Sequence, residues 1–225
     1  MADGGRPEAA ATTEERRARV QKMIPRLEEA YDDLEITLDH SSPLELVVAT
    51  ILSAQCTDAR VNRVTPDLFD RYRTAEDYAG ADREELEELI RSTGFYRNKA
   101  KYIQGMARKL VEEHDGRVPR SMEALTELPG VARKTANVIL SNAFERNEGV
   151  VVDTHVQRVS RRLGLTDHER PEKIEEDLME VLPRERWRSF AWRLILHGRN
   201  TCSARSPSCG DCILEDLCPS AHAFD

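Results

Sequence analysis

Leu128-Pro129-Gly130-Val131-Ala132-Arg133-Lys134-Thr135 reads as a tight bend that feeds straight into a helix. Proline fixes φ, and glycine permits a left-handed backbone, so the pair can reverse the chain within a few residues. A bend of this kind presents backbone N–H groups together with the positive end of the helix. That combination holds a phosphate without reading any base. Gly130, Ala132 and Arg133 are therefore candidate contacts to a phosphate backbone, Arg133 through a charge-assisted bond. An ordinary αα-hairpin would look the same if the segment stood alone.

Working outward from this bend, the chain reads as a succession of capped helices. Ser42-Pro43-Leu44-Glu45 supplies a capping serine, a first-turn proline and a glutamate three residues after the cap. Leu44, Val47, Val48, Ile51 and Leu52 follow at the spacing of a core-facing stripe. Thr65-Pro66 predicts the start of a short helix, and Ala81–Ser92 another that is closed by Gly94. Ala100, Ile103, Met106, Ala107, Leu110 and Val111 form a further stripe. Ile174, Leu178 and Leu182 mark a later helix, and Trp187, Phe190, Ala191, Leu194 and Ile195 the next. The one β-like run, Val150–Val152, is too short and isolated to build a sheet. The expectation is an all-α protein.

The 225 residues suffice for one or two ordinary cores, and no run approaches the length of a membrane span. Residues 1–12 read as a disordered tail on a cytoplasmic protein. The net charge of −8 argues against a nucleic-acid binder only as an average. Glu28 to Glu45 holds seven acids and no Lys or Arg, whereas Arg91 to Val111 holds six bases and no acid. Such segregation permits a basic face on an acidic protein. Six of the 33 basic residues are Lys, so a lysine here stands where arginine was the usual charge.

Cys202, Cys209, Cys212 and Cys218 are spaced C-x6-C-x2-C-x5-C, close enough to wrap one thiolate-liganded centre. Thiolates select zinc or an iron–sulfur cluster over hard cations, and the spacing alone leaves both open. Disulfides are the weaker reading, because Cys56 would be left odd. Cys56 itself is expected to be a small buried hydrophobe.

Taken together, L-P-G-V-A-R-K-T-A-N-V, V-D-T-H at Val152–His155, H-G-R at His197–Arg199 and the four cysteines resemble endonuclease III. That family belongs to the helix-hairpin-helix DNA glycosylases. Ser53-Ala54-Gln55 and the run Gly94–Ala100 extend the match, which covers about Ser41 to Cys218. The resemblance implies a two-lobed fold: a six-helix domain at 39–148 containing the hairpin, and an iron–sulfur domain made of 13–38 and 149–225. It implies a [4Fe-4S] cluster on the four cysteines and Lys134 and Asp153 as the catalytic amine and carboxylate. It also implies Gln55 and Phe95 as the plug that fills the gap left by a flipped base. The family more often has leucine at the position of Phe95 and glycine at that of Ala132. Alanine tolerates positive φ poorly, so a strained turn and weaker backbone binding are expected there.

The implied activity is a bifunctional DNA glycosylase and AP lyase. Its implied substrates are oxidised pyrimidines and abasic sites in duplex DNA, and its implied state is a monomer, nucleoid-associated through DNA. Lysine suits this chemistry because it can lose a proton and attack carbon, which arginine effectively cannot. Asp153 also reads as the N-cap of the next helix, a role compatible with an ionised catalytic carboxylate. Nearby cations such as Arg133, or partial burial, are expected to favour the neutral amine of Lys134. Lys99, Lys101 and Lys109 are expected to be phosphate contacts or solvated. A different class remains open: a non-catalytic DNA-binding module with a structural four-cysteine metal site.

Overall fold

The computed structural model describes residues 11–32 and 37–223, and residues 1–10 of the expected tail lie outside that range. Among the described residues all regular structure is helical. Two compact units divide the chain, one of Met1–Leu34 with Gly149–Asp225, the other of Glu35–Glu148.

The first unit opens with α1 (Thr13–Ala30), whose start is fixed by a reciprocal capping box between Thr12 and Glu15. The second unit holds α2 (Pro43–Ser53), α3 (Asp58–Arg71), α4 (Ala75–Gly80), α5 (Arg83–Leu89), α6 (Tyr96–Glu113), α7 (Met122–Thr126) and α8 (Arg133–Ala143). The first unit then resumes with α9 (Thr154–Arg162), α10 (Pro171–Val181) and α11 (Trp187–Asn200). Between them, Val150–Val152 is extended chain with no strand partner among the described residues.

Each unit has its own core. In the hairpin unit, Val47, Val48 and Leu52 of α2 pack with Ile103, Met106 and Leu110 of α6 and Ile139 and Leu140 of α8. In the other, Val20, Met23 and Leu27 of α1 meet Val156, Val159, Leu178 and Leu194. Each such side chain contributes about 1.5–3 kcal/mol by leaving water.

Four expectations change. Thr65-Pro66 does not open a helix, because Pro66 lies inside α3, which begins at Asp58. Burial of Val61, Val64, Thr65 and Leu68 along one face carries the helix past the proline. Val111 is exposed, since the stripe of α6 turns away from the core after Leu110. Cys56 is only half-buried, at the edge of the core.

The basic run is the fourth, and it is not a uniform basic face. Arg91 meets Glu88 at 3.0 Å, Arg97 meets Glu87 at 3.8 Å, and Lys109 meets Glu127 at 3.1 Å. Lys99, expected at the surface, is 3% exposed and donates to two backbone carbonyls. Lys101 and Arg108 are the exposed members of the run with no acidic partner among the described residues.

Candidate functional site

The hairpin is built from α7, a short turn and α8. Leu128 and Val131 are buried and hold the turn in place, with Val131 N–H donating to Leu128 O at 3.0 Å. The left-handed residue is Gly130, with φ +82. A Cβ there would lie 2.8 Å from the Cβ of Tyr102, so glycine is required by conformation and by space. Pro129 packs against Gly105 of α6, where a Cβ would meet the proline ring at an ordinary contact distance of 3.4 Å.

Ala132 does not have the strained backbone expected of it. It is the N-cap of α8 in extended conformation, φ −84 and ψ 169, which any residue adopts. Its methyl brings no cap oxygen to the first turn, where Ser, Thr or Asp would have supplied one. Arg133 and Lys134 project from that turn and are exposed, while Ala136, Ile139 and Leu140 face inward. Lys134 is thus at the surface, so of the two expected influences on its amine, neighbouring cations or partial burial, burial does not apply.

Asp153 begins α9 in the opposite manner. Val150 and Val152 are buried and anchor the extended approach. Oδ1 of Asp153 then accepts from the backbone N–H of His155 and of Val156, each at 2.8 Å. Oδ2 carries no bond among the described residues. The cap therefore fixes the carboxylate through one oxygen and leaves the other available.

Gln55 and Phe95 share an uncommon property. Both are non-glycine residues in the left-handed region, with φ +53 and +47. Gln55 is exposed at the end of the turn after α2, and Phe95 is 64% exposed at the start of α6. An exposed phenylalanine in this conformation does not contribute to the core, unlike an ordinary aromatic.

The α9 helix that starts at Asp153 ends on the cysteine loop. Arg158 donates to Gly198 O at 2.8 Å and to Cys202 O at 3.1 Å. Arg162 donates to Cys202 Sγ at 3.3 Å, Ser203 O at 2.6 Å and Ala204 O at 2.9 Å. Gly198 lets α9 close on α11, because a Cβ there would come within 3.0 Å of His155 and 3.1 Å of Arg158. This is the physical reason for the glycine of the H-G-R motif. His197 is buried, and its Nε2 lies 3.6 Å from Cys212 Sγ while its Nδ1 lies 3.1 Å from the Tyr31 hydroxyl. Burial lowers its pKa to about 4, so the ring is neutral at pH 7. Sequence reading missed Arg158, Arg162 and the link from His197 to Tyr31, since each joins residues far apart in the chain.

All four cysteines line one pocket, together with Arg162, His197 and Leu163. Four thiols lining one pocket are a donor set that fits a thiolate-bound metal centre. Burial, with Cys202 and Cys209 nearby, holds the Cys212 thiol above its usual range, and burial pushes Cys218 up to about 11. A bound metal centre would supply the positive charge that stabilises such thiols as thiolates. N–H donors to sulfur, such as Leu214 N–H to Cys212 Sγ at 3.4 Å, suit the same charge.

Comparison with known proteins agrees with this donor set. Residues 48–184 match the model of the HhH-GPD superfamily of base excision DNA repair proteins. Residues 202–218 match the iron-sulfur binding domain of endonuclease III. Endonuclease III of Synechocystis is 56% identical over 208 residues, which is 92% of this chain and 95% of that protein. A solved non-covalent endonuclease III–DNA complex superposes with a TM-score of 0.85 at 44% identity, covering 91% of this chain and 96% of that one. A trapped endonuclease III–DNA covalent intermediate gives the same TM-score, identity and coverage.

Proposed function

Because the chain belongs to the endonuclease III family of helix-hairpin-helix DNA glycosylases, and is a DNA glycosylase and AP lyase of base excision repair carrying a [4Fe-4S] cluster, we propose that it excises oxidised pyrimidines from duplex DNA with Lys134 as nucleophile and Asp153 as the assisting carboxylate. Family membership removes the non-catalytic binding module as a reading. The observation that carries the residue assignment is the opposite construction of two helix starts. Lys134 stands exposed on a first turn without a cap oxygen, and Asp153 is a carboxylate clamped by one oxygen only.

In this mechanism the hairpin, through Gly130, Ala132 and Arg133, holds the phosphate backbone, while Gln55 and Phe95 fill the gap left by the extrahelical nucleotide. Gln55 offers a donor and an acceptor to the orphaned base, and Phe95 wedges into the stack. The deprotonated amine of Lys134 attacks C1′, and the base leaves with the electrons of the glycosidic bond and takes up a proton. Opening of the sugar ring gives the imine; loss of a C2′ proton then expels the 3′ phosphate by β-elimination. Asp153 stabilises the positive charge that develops on the sugar and orients the amine. Cys202, Cys209, Cys212 and Cys218 hold the cluster, whose role is structural or DNA-sensing, since four thiolates leave no open iron position. Among the described residues no helix is long and apolar enough to cross a membrane. We infer a monomer that works on the nucleoid in the cytoplasm.

The relative trapped covalently on DNA supports an amine-based route. Borohydride reduction with a duplex containing thymine glycol tests it here. The expected result is a covalent protein–DNA adduct that disappears in Lys134→Ala. Adduct formation by Lys134→Ala at the native rate would overturn the assignment.

A further inference from the structure

Lys99 has no assigned role, yet it is the one lysine drawn inside the hairpin unit. Its ammonium donates to Leu52 O at 2.7 Å and to Thr93 O at 2.8 Å. Leu52 lies in the last turn of α2, three residues before Gln55. Thr93 ends the 3-10 turn Arg91–Thr93, two residues before Phe95. A single cation thus ties down the chain immediately ahead of both left-handed residues.

The residue type fits this task. Carbonyls at helix ends lack intrahelical partners and carry partial negative charge, so a cation there is favourable. An ammonium is compact and presents three donors, which lets it gather carbonyls that a planar guanidinium would splay. A methionine of similar length would leave both carbonyls buried without partners. Burying a lysine has a cost, visible in the lowered pKa that burial imposes on Lys99. Helix capping alone does not require one residue to serve two separate turns. Both of the turns it serves carry a strained non-glycine residue that faces solvent.

We propose that Lys99 is a positioning residue that sets Gln55 and Phe95 as one unit, so that both enter the duplex together when the damaged nucleotide leaves it. The proposal rests on the reading of those two residues as the plug. Lys99 touches no reacting atom and acts through the two turns. Neither residue can then be displaced without disturbing the other.

A double-mutant cycle on the full-length, cluster-loaded protein tests this. The readout is single-turnover fluorescence of 2-aminopurine placed opposite thymine glycol, which reports filling of the gap. Phe95→Ala and Gln55→Ala are each expected to slow the fluorescence change about 10-fold, and Lys99→Met about 10-fold or more. Lys99→Met with Phe95→Ala should be no more than about 3-fold slower than the slower single variant, because residues acting as a unit are not additive. Independent action would instead give about 100-fold, and that result overturns the proposal. If Phe95→Ala and Gln55→Ala both leave the signal unchanged, the plug reading fails first, and the proposal with it. If Lys99→Met does not fold, amide exchange in the wild-type protein replaces it. Ala54–Cys56 and Gly94–Tyr96 should then exchange through one shared opening, with equal free energies, and unequal openings would refute the coupling.

Discussion

The two helix starts that carry the assigned chemistry differ in one atom type. At the head of α8, Ala132 offers no side-chain oxygen; at the head of α9, Asp153 offers two and uses one as a cap. The same feature of helix physics, N–H groups without intrahelical acceptors, is thus turned to opposite ends. In the proposed function one start stays open for an anion arriving from outside. The other is filled by a carboxylate belonging to the protein, which two backbone N–H bonds hold in place.

The largest expected effect comes from removing the amine beside the open start. Lys134→Ala should lower the glycosylase rate by about 10³-fold or more and abolish trapping, while affinity for a duplex carrying an abasic-site analogue stays near the native value. Asp153→Asn separates the two jobs of the filled start. Asparagine caps as well as aspartate, so the melting temperature should stay within about 2 °C, while the single-turnover rate falls about 10²-fold or more. Asp153→Ala should lose the cap as well, at a cost of about 1 kcal/mol in urea unfolding. A melting temperature that falls as far in Asp153→Asn as in Asp153→Ala would break the comparison.

Smaller effects sharpen it. Gly130→Ala places a methyl 2.8 Å from the Cβ of Tyr102 at a φ of +82. It should cost about 1–2 kcal/mol of stability and weaken duplex binding about 10-fold, measured by fluorescence anisotropy. Ala132→Ser closes the open start. It should raise stability by about 0.5–1 kcal/mol and weaken duplex binding a few-fold, because the new hydroxyl competes with phosphate for the same N–H groups. Tighter binding by Ala132→Ser would show that the missing cap serves no anion.

What could be read in the sequence was local. Ser42 caps α2 and bonds Glu45 N–H as its position suggests, although Glu45 reciprocates one residue further back, on Ser41. The stripe of α6 from Ala100 to Leu110 is buried as its spacing predicts. Asp153 is legible as a cap because the N–H groups it accepts from lie two and three residues away. Pro66 misled because a proline can start a helix or be carried within one, and tertiary burial decides which. Lys99 was unreadable in principle: one of its carbonyls is 47 residues away, and a lysine among other bases resembles a solvated face. Arg158 and Arg162 were hidden for the same reason, since their acceptors lie about 40 residues downstream.

Phe95 precedes α6, Lys99 lies in its second turn, Tyr102 sits under Gly130, and Gly105 receives Pro129. A helix advances about 1.5 Å and turns about 100° per residue, so α6 works as a gauge that sets the distance from Phe95 to the Gly130 turn by counting residues. Deleting a single residue between Lys99 and Tyr102 would swing one end about 100° around the axis relative to the other. Substitutions along its outer face leave that calibration intact, whereas any change in its length destroys it.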